Sequence, residues 1–278
     1  MGDTYRFNIG DFQCLVLNDG NIIANAAMLF ANAPAEELLQ VLHHHGLKPE
    51  HLPSTLTCLL VKTPTHVVLV DTGFGPVGQN GGQLLPLLRA EGVQPEAIDT
   101  VILTHAHPDH IGGGVDGAGQ LTFPEATYYM GQTEWDFWGS ETNLAKVPAW
   151  AANLARQKLL PLRPKLKVID PEQEVVPGIR VVAAPGHTAG HMAVEVESRG
   201  EYLLHLVDAT AHPIQIEYPE WYARFDQLPE QTVVTRQALY QRAVEKNALV
   251  LAFHFPPFPS LGHITRQAGR WQWQPIPE

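Results

Sequence analysis

Cysteine is scarce in this sequence: Cys14 and Cys58 are the two among 278 residues. They form no Cys-x-x-Cys pair, so a disulfide framework and a thiolate metal site are both disfavoured. Each falls in an apolar run and reads as a small buried hydrophobe. Basic residues are also few, 18 Lys and Arg against 29 Asp and Glu, for a formal net charge of −11. That balance argues against nucleic acid, whose phosphates call for a basic face. No apolar stretch approaches the ~20 residues that span a bilayer, and Met1 to Arg6 lack the apolar segment of a secretory signal. A cytoplasmic protein with no membrane and no nucleic-acid partner is the expectation. Internal repeats and linkers are missing as well, which points to one domain over residues 1–278. Hydrophobic residues make up 45% of the chain, enough to fill a sizeable α/β core.

What is present centres on Thr104-His105-Ala106-His107-Pro108-Asp109-His110-Ile111-Gly112-Gly113. Four potential metal ligands fall directly after the apolar, β-branched run Thr100-Val101-Ile102-Leu103, which reads as a buried strand. The ligands therefore sit on the loop at a strand's C-terminal end, where α/β sheets place their sites. Imidazole and carboxylate suit zinc, iron or manganese. Two His at i and i+2 on an extended loop reach one ion, while Asp109 and His110 face the other way toward a second. A lone His-x-His would fit a solvated loop; the full string between a strand and glycines is far more specific.

Around the motif, alternation predicts a hairpin from Tyr5 to Leu17 turning at Gly10-Asp11, then a second turn at Asn18-Asp19-Gly20. A helix from Pro34 to Gly46 carries His43-His44-His45, consecutive imidazoles that cannot share one helix face and so read as a solvated end. Strands are expected from Thr57 to Val61 and from Val67 to Val70, the second ending in Asp71-Thr72-Gly73. A helix from Gln83 to Glu91 and a strand from Ala126 to Met130 flank the motif. Aromatic-rich helical segments then cover Gln132 to Gly139 and Asn143 to Leu160. Further strands are read from Leu166 to Ile169, Ile179 to Ala183, Met192 to Glu197 and Glu201 to Val207. A long helix from Gln231 to Lys246, with Asp226 and Pro229 as start signals, precedes a last buried strand from Ala248 to Phe253. Periodicity alone gives a mixed α/β chain.

His105, His107, Asp109 and His110 resemble the signature of the metallo-β-lactamase-fold superfamily. The resemblance implies an αββα sandwich, two mixed β-sheets with helices on the outer faces. It also implies three further ligands in the order His, acid, His, and His187, Asp208 and His254 supply them. His105, His107 and His187 would then share one metal ion and Asp109, His110 and His254 a second, with Asp208 bridging. Asp71, in an Asp-x-Gly at a strand end, would support the ligand loops by hydrogen bonds. His191 falls outside the ligand positions and reads as structural. Two divalent metal ions are implied, zinc first, with Mn, Fe and Co equally acceptable to the donor set. A homodimer is implied too.

Such a site makes a hydroxide from water and directs it at a carbonyl or phosphoryl centre, with Asp109 shuttling the proton and Asp208 holding both ions. His107, where flavodiiron proteins carry Glu, argues against the redox branch, and Asp208 departs from the Cys of many β-lactamases. Two branches remain close, N-acyl-homoserine-lactone lactonases and methyl parathion hydrolase. The latter is similar at Asp136-Phe137-Trp138, Thr142-Asn143-Leu144 and Ser260-Leu261-Gly262-His263-Ile264, a likeness that implies Trp138 and Trp150 as aromatic walls of a substrate pocket. Lactonases often carry Tyr where Ala211 stands; His212 next to it is either a replacement donor or a surface residue. The resulting expectation is a dinuclear hydrolase of lactones or aryl esters with phosphotriester hydrolysis as a side activity. Organophosphate hydrolysis as the main activity is the first alternative, and an iron-dependent redox enzyme the second.

Overall fold

A strand that is apolar on both faces needs a core on each side, and the chain supplies three such layers. The computed structural model describes residues 2–77 and 80–277. Its first sheet runs in the order β1 (Thr4–Ile9), β2 (Phe12–Ala24), β3 (Leu52–Lys62), β4 (Val67–Val70), β5 (Thr100–Leu103), β6 (Thr127–Gly131) and β7 (Leu166–Ile169). The second places β8 (Glu174–Val176), β9 (Ile179–Ala183), β10 (Met192–Ser198), β11 (Glu201–His205), β12 (Leu249–Leu251), β13 (Leu261–Gln267) and β14 (Arg270–Pro275) side by side. Both sheets are mixed: β4 to β7 pair in parallel, as do β11 and β12, and the other neighbours are antiparallel.

The two-residue period of a strand sorts side chains between layers. Cys14 and Val16, Val68 and Val70, and Ile102 turn inward, against Val181, Met192, Val194 and Val196 of the opposite sheet. The residues between them, Leu15, Leu17, Leu69, Val101 and Leu103, turn outward under helices that include Leu84–Ala90 and Gln132–Trp138. On the far side, Ala193, Leu204 and Val250 pack under Leu239, Tyr240 and Ala243 of the helix Pro229–Glu245. Each fully buried aliphatic side chain contributes roughly 1.5–3 kcal/mol, which fixes the register of these strands. The result is the αββα sandwich. Cys14 and Cys58 are buried and free, as expected, and burial pushes the Cys14 thiol up to about 12. Among the described residues no helix is long and apolar enough to cross a membrane.

Three local expectations give way. Asn18-Asp19-Gly20 is no turn but part of β2, with a register shift there opposite β3. Asp19 is buried and accepts the N–H groups of Phe74 (2.9 Å), Gly82 (2.9 Å) and Leu84 (2.8 Å), so its turn chemistry serves a distant loop. The segment from Asn143 to Leu160 is not one helix: Glu141–Leu144 ends before Pro148, and Ala149–Leu154 starts after it. Proline disfavours helical backbone in the residue before it. The strand after Ala248 is not the last, because β13 and β14 form a closing hairpin whose outward Arg and Gln side chains mask the alternation.

Candidate metal centre

Five loops meet at one edge of the sandwich, each leaving the C-terminal end of a strand: β4 delivers Asp71, β5 the His105–His110 loop, β9 His187, β11 Asp208 and β12 His254. Close packing brings them together. A Cβ on Gly113 would stand 2.0 Å from the Thr72 carbonyl oxygen, so only glycine lets the motif loop lie against the end of β4. Val207, a β-branched residue, sits at φ 52° in the left-handed region immediately before Asp208. Such a conformation costs on the order of 1–3 kcal/mol and persists where the surroundings demand it.

The donor atoms fall into two groups. His105, His107, His187 and Asp208 each offer an atom within 4.8 Å of the others, and Asp109, His110 and His254 do the same. Asp208 stands between the groups. Its Oδ2 lies 3.3 Å from Nε2 of His187 and 3.3 Å from Nε2 of His254, and its Oδ1 lies 3.4 Å from Nε2 of His110. Asp109 Oδ2 is 3.6 Å from His254 Nε2. The structure thus brings together all seven residues singled out in the sequence.

Three of the imidazoles are aimed from behind. His110 Nδ1 donates to Asp71 Oδ2 at 2.7 Å, His187 Nδ1 to Asp226 Oδ1 at 2.9 Å and His254 Nδ1 to the Thr55 carbonyl at 3.1 Å. A proton held on Nδ1 leaves the Nε2 lone pair free to ligate. Asp71 also accepts from the Thr104 amide at 2.9 Å, which ties the motif loop to β4. His191 accepts the Asp208 N–H at 3.2 Å through Nε2, a structural role.

Whether these residues suit a cation is decided by what they lack. His105 Nε2, His110 Nε2 and Asp208 Oδ1 are buried with no hydrogen-bond partner, a costly state for polar atoms unless an ion completes them. Burial, with the neighbouring His110 charge, holds His105 well below the usual imidazole range; burial and His187 do the same for His107. Both are therefore neutral, the form that ligates. Burial disfavours charge on Asp208, yet His254 and His110 outweigh it and hold the carboxyl well below its ordinary value. Two nitrogen-and-oxygen sites sharing one carboxylate match a pair of divalent ions.

Three other sequence expectations fare differently. Trp138 is no open wall: it is buried in the outer core, and its indole N–H donates to Glu134 at 3.0 Å. Trp150 is 63% exposed at the start of its helix. His212 is not on the surface but buried, its ring edge-on to Phe30 at 5.5 Å. Burial holds it near 3, with His45 the neighbouring charge that adds to the shift. Three residues at the site carry no functional sign in the sequence: Asp226, which there marks only a helix start, Glu134, and Phe225, whose partly exposed ring stands edge-on to His187 at 5.5 Å. Their partners are distant in sequence, so local pattern carried no sign of them.

Comparison with known proteins agrees with this geometry. The model of the Metallo-beta-lactamase superfamily matches residues 53–262. The N-acyl homoserine lactonase AiiA of Bacillus thuringiensis subsp. kurstaki is 28% identical over 222 residues, covering 70% of this chain and 79% of its own. Among solved structures, AidC, a dizinc quorum-quenching lactonase in complex with a product, superposes with a TM-score of 0.88 at 26% identity, over 99% of this chain and 98% of its own. The hydrolase AbOPH of the beta lactamase superfamily superposes with a TM-score of 0.92 at 27% identity, over 100% and 99%.

Proposed function

The chain belongs to the metallo-beta-lactamase superfamily, and on that premise we propose that it is a two-metal hydrolase of lactones, with aryl esters as further substrates and phosphotriester hydrolysis as a side activity. One observation carries the reading: Asp208 lies between two groups of ligand atoms, and three of those atoms, one in each group and one on Asp208 itself, are buried with no hydrogen-bond partner. Lactone as the substrate class is supported by AiiA and AidC, both lactonases, and by the absence of a thiol ligand at the bridging position. Zinc is the metal we favour, following the dizinc AidC, although the donor set would also accept Mn, Fe or Co.

His105, His107, His187 and Asp208 would hold one ion, Asp109, His110 and His254 the other. Bound there, two such ions would supply a lowered pKa for water and polarisation of a substrate carbonyl. The protein's own residues do the rest. Asp109, partly exposed like His107 while the other ligands are buried, and 3.6 Å from His254, is placed to take the proton of the attacking water. It then passes that proton to the ring oxygen as the acyl C–O bond breaks, so that lactone and water become a hydroxy acid. Asp71 and Asp226 keep His110 and His187 in the ligating tautomer. Phe225, beside His187, offers an apolar edge for an acyl or aryl group. Ala211 brings no phenol to the carbonyl oxygen, so its polarisation would fall to the ions held by these ligands. The two sheets share one inner core and both feed the site, the basis for taking the chain as one domain. A cytoplasmic homodimer remains our expectation.

The test is hydrolysis of an N-acyl-homoserine lactone, an aryl ester and a phosphotriester by protein stripped with chelator and reloaded with zinc. We expect lactone and ester turnover, lost on stripping and restored on reloading, with slower phosphotriester turnover. Turnover confined to the phosphotriester would reassign the main activity. Bound iron with a redox-active spectrum and no hydrolysis would replace the reading altogether.

A further inference from the structure

We infer that Glu134 is a positioning residue that sets the three-imidazole half of the site by strapping together two ligand loops from opposite sheets. The inference rests on the two-metal reading above. Glu134 lies in the helix Gln132–Trp138, which starts directly after β6, and it is 1% exposed. Its carboxylate accepts four hydrogen bonds. Oε1 takes the Ala106 N–H at 3.0 Å and the Trp138 indole N–H at 3.0 Å; Oε2 takes the Thr188 hydroxyl at 2.7 Å and the Gly190 N–H at 3.2 Å.

The identity of these donors gives the role. Ala106 lies between His105 and His107, on the loop leaving β5 of the first sheet. Thr188 follows His187, and with Gly190 it belongs to the loop leaving β9 of the second sheet. Trp138, one helical turn on, fixes the carboxylate's rotamer from within its own helix. One buried side chain thus ties the His105–His107 pair to His187 at a set separation. The approach is close because Gly190 has no side chain: a Cβ there would fall 2.2 Å from the Glu134 backbone nitrogen. A second link, from Met192 N–H to the Thr104 carbonyl at 3.1 Å, joins the same two loops at their strand ends.

Glu134 bonds none of the imidazoles, so it acts through backbone placement and not on substrate. The other half of the site has its own supports: Asp71 behind His110, and Ser54 and the Thr55 carbonyl around His254. Loss of Glu134 should therefore weaken one metal position and spare the other. In E134Q the amide oxygen can still serve Ala106 and Trp138. The amide NH2 then faces the Gly190 N–H, donor against donor, and the Thr188 hydroxyl must turn.

The test measures both zinc affinities of the full chain by competition with a chromophoric chelator, and the visible bands of the cobalt-loaded protein. It compares the natural protein with E134Q, T188V and T188S. We expect E134Q to lose about 10–100-fold in one of two affinities while the other holds, with a shift in the bands of one cobalt only. T188V should move the same affinity in the same direction by less, and T188S should restore it. Two unchanged affinities in both E134Q and T188V would overturn the inference, and so would an equal fall in both, which marks general loosening. If E134Q fails to fold, T188V and T188S decide by the same criteria. Fewer than two zinc ions on the natural protein would instead overturn the two-metal reading.

Discussion

Asp71 and His110 face each other at 2.7 Å with neither side chain exposed, and the same carboxylate holds the Thr104 amide at the head of the motif loop. One residue at the end of β4 thus both aims an imidazole and anchors the loop that carries four ligands. Substituting Asp71→Asn keeps the shape but places an NH2 where one acceptor oxygen stood. We expect the affinity for the zinc at Asp109, His110 and His254 to fall about 10–100-fold, read by chelator competition, with a smaller fall at the other position, whose His105 and His107 ride on the same anchored loop.

The ring of Phe225 stands edge-on to His187, 37% exposed. If it borders the bound acyl group, Phe225→Ala removes apolar contact in both ground and transition states. KM for a long-chain acyl lactone should rise about tenfold, equivalent to ~1.4 kcal/mol, with kcat little changed. Steady-state kinetics on short-chain and long-chain lactones checks this, and an equal effect on both would place the acyl chain elsewhere.

Glu195 on β10 receives Arg242 Nε at 2.6 Å and Lys246 Nζ at 3.2 Å. Burial works to raise its carboxyl, but the bonds from Arg242 and the charge beside it outweigh burial and hold it below the ordinary 4.5. A carboxyl depressed by folding contributes stability that is complete above 4.5 and is lost as pH falls through the folded value. Thermal unfolding of E195Q should therefore show a deficit of about 1 kcal/mol at neutral pH. That gap should close as both proteins are acidified below the carboxylate range.

Much of the site is legible in the sequence because its chemistry is contiguous. His105 to His110 follow an unmistakable strand, and the downstream ligands keep their order. Asp226 and Glu134 are not legible in that way. Their partners lie 39 and 28 residues away, and an isolated acidic residue in a helix or loop looks solvated until the fold buries it. His212 misleads for the same reason: a polar residue beside Pro213 resembles surface, yet the small cluster around Phe30 and Trp221 encloses it. Asp19 and the β13–β14 hairpin show tertiary pairing overriding local pattern in opposite directions, one turn lost and one strand pair gained.

Gly113 offers a stability test of how tightly the motif loop is packed. Gly113→Ala would drive a methyl group into the Thr72 carbonyl, 2.0 Å away. Neither backbone can retreat without moving His110 or Asp71. We expect a loss of roughly 2–4 kcal/mol in chemical denaturation, together with weaker metal binding.

The most direct test of the central claim is the metal content of the chain set against its lactonase activity. Stripped protein is titrated with zinc, and bound metal and turnover are read on the same samples. We expect about two ions per chain, full activity on filling both positions, and loss of the second ion and of turnover in D208N. Full turnover by the stripped protein, or by D208N with one ion or none, would contradict the two-metal reading.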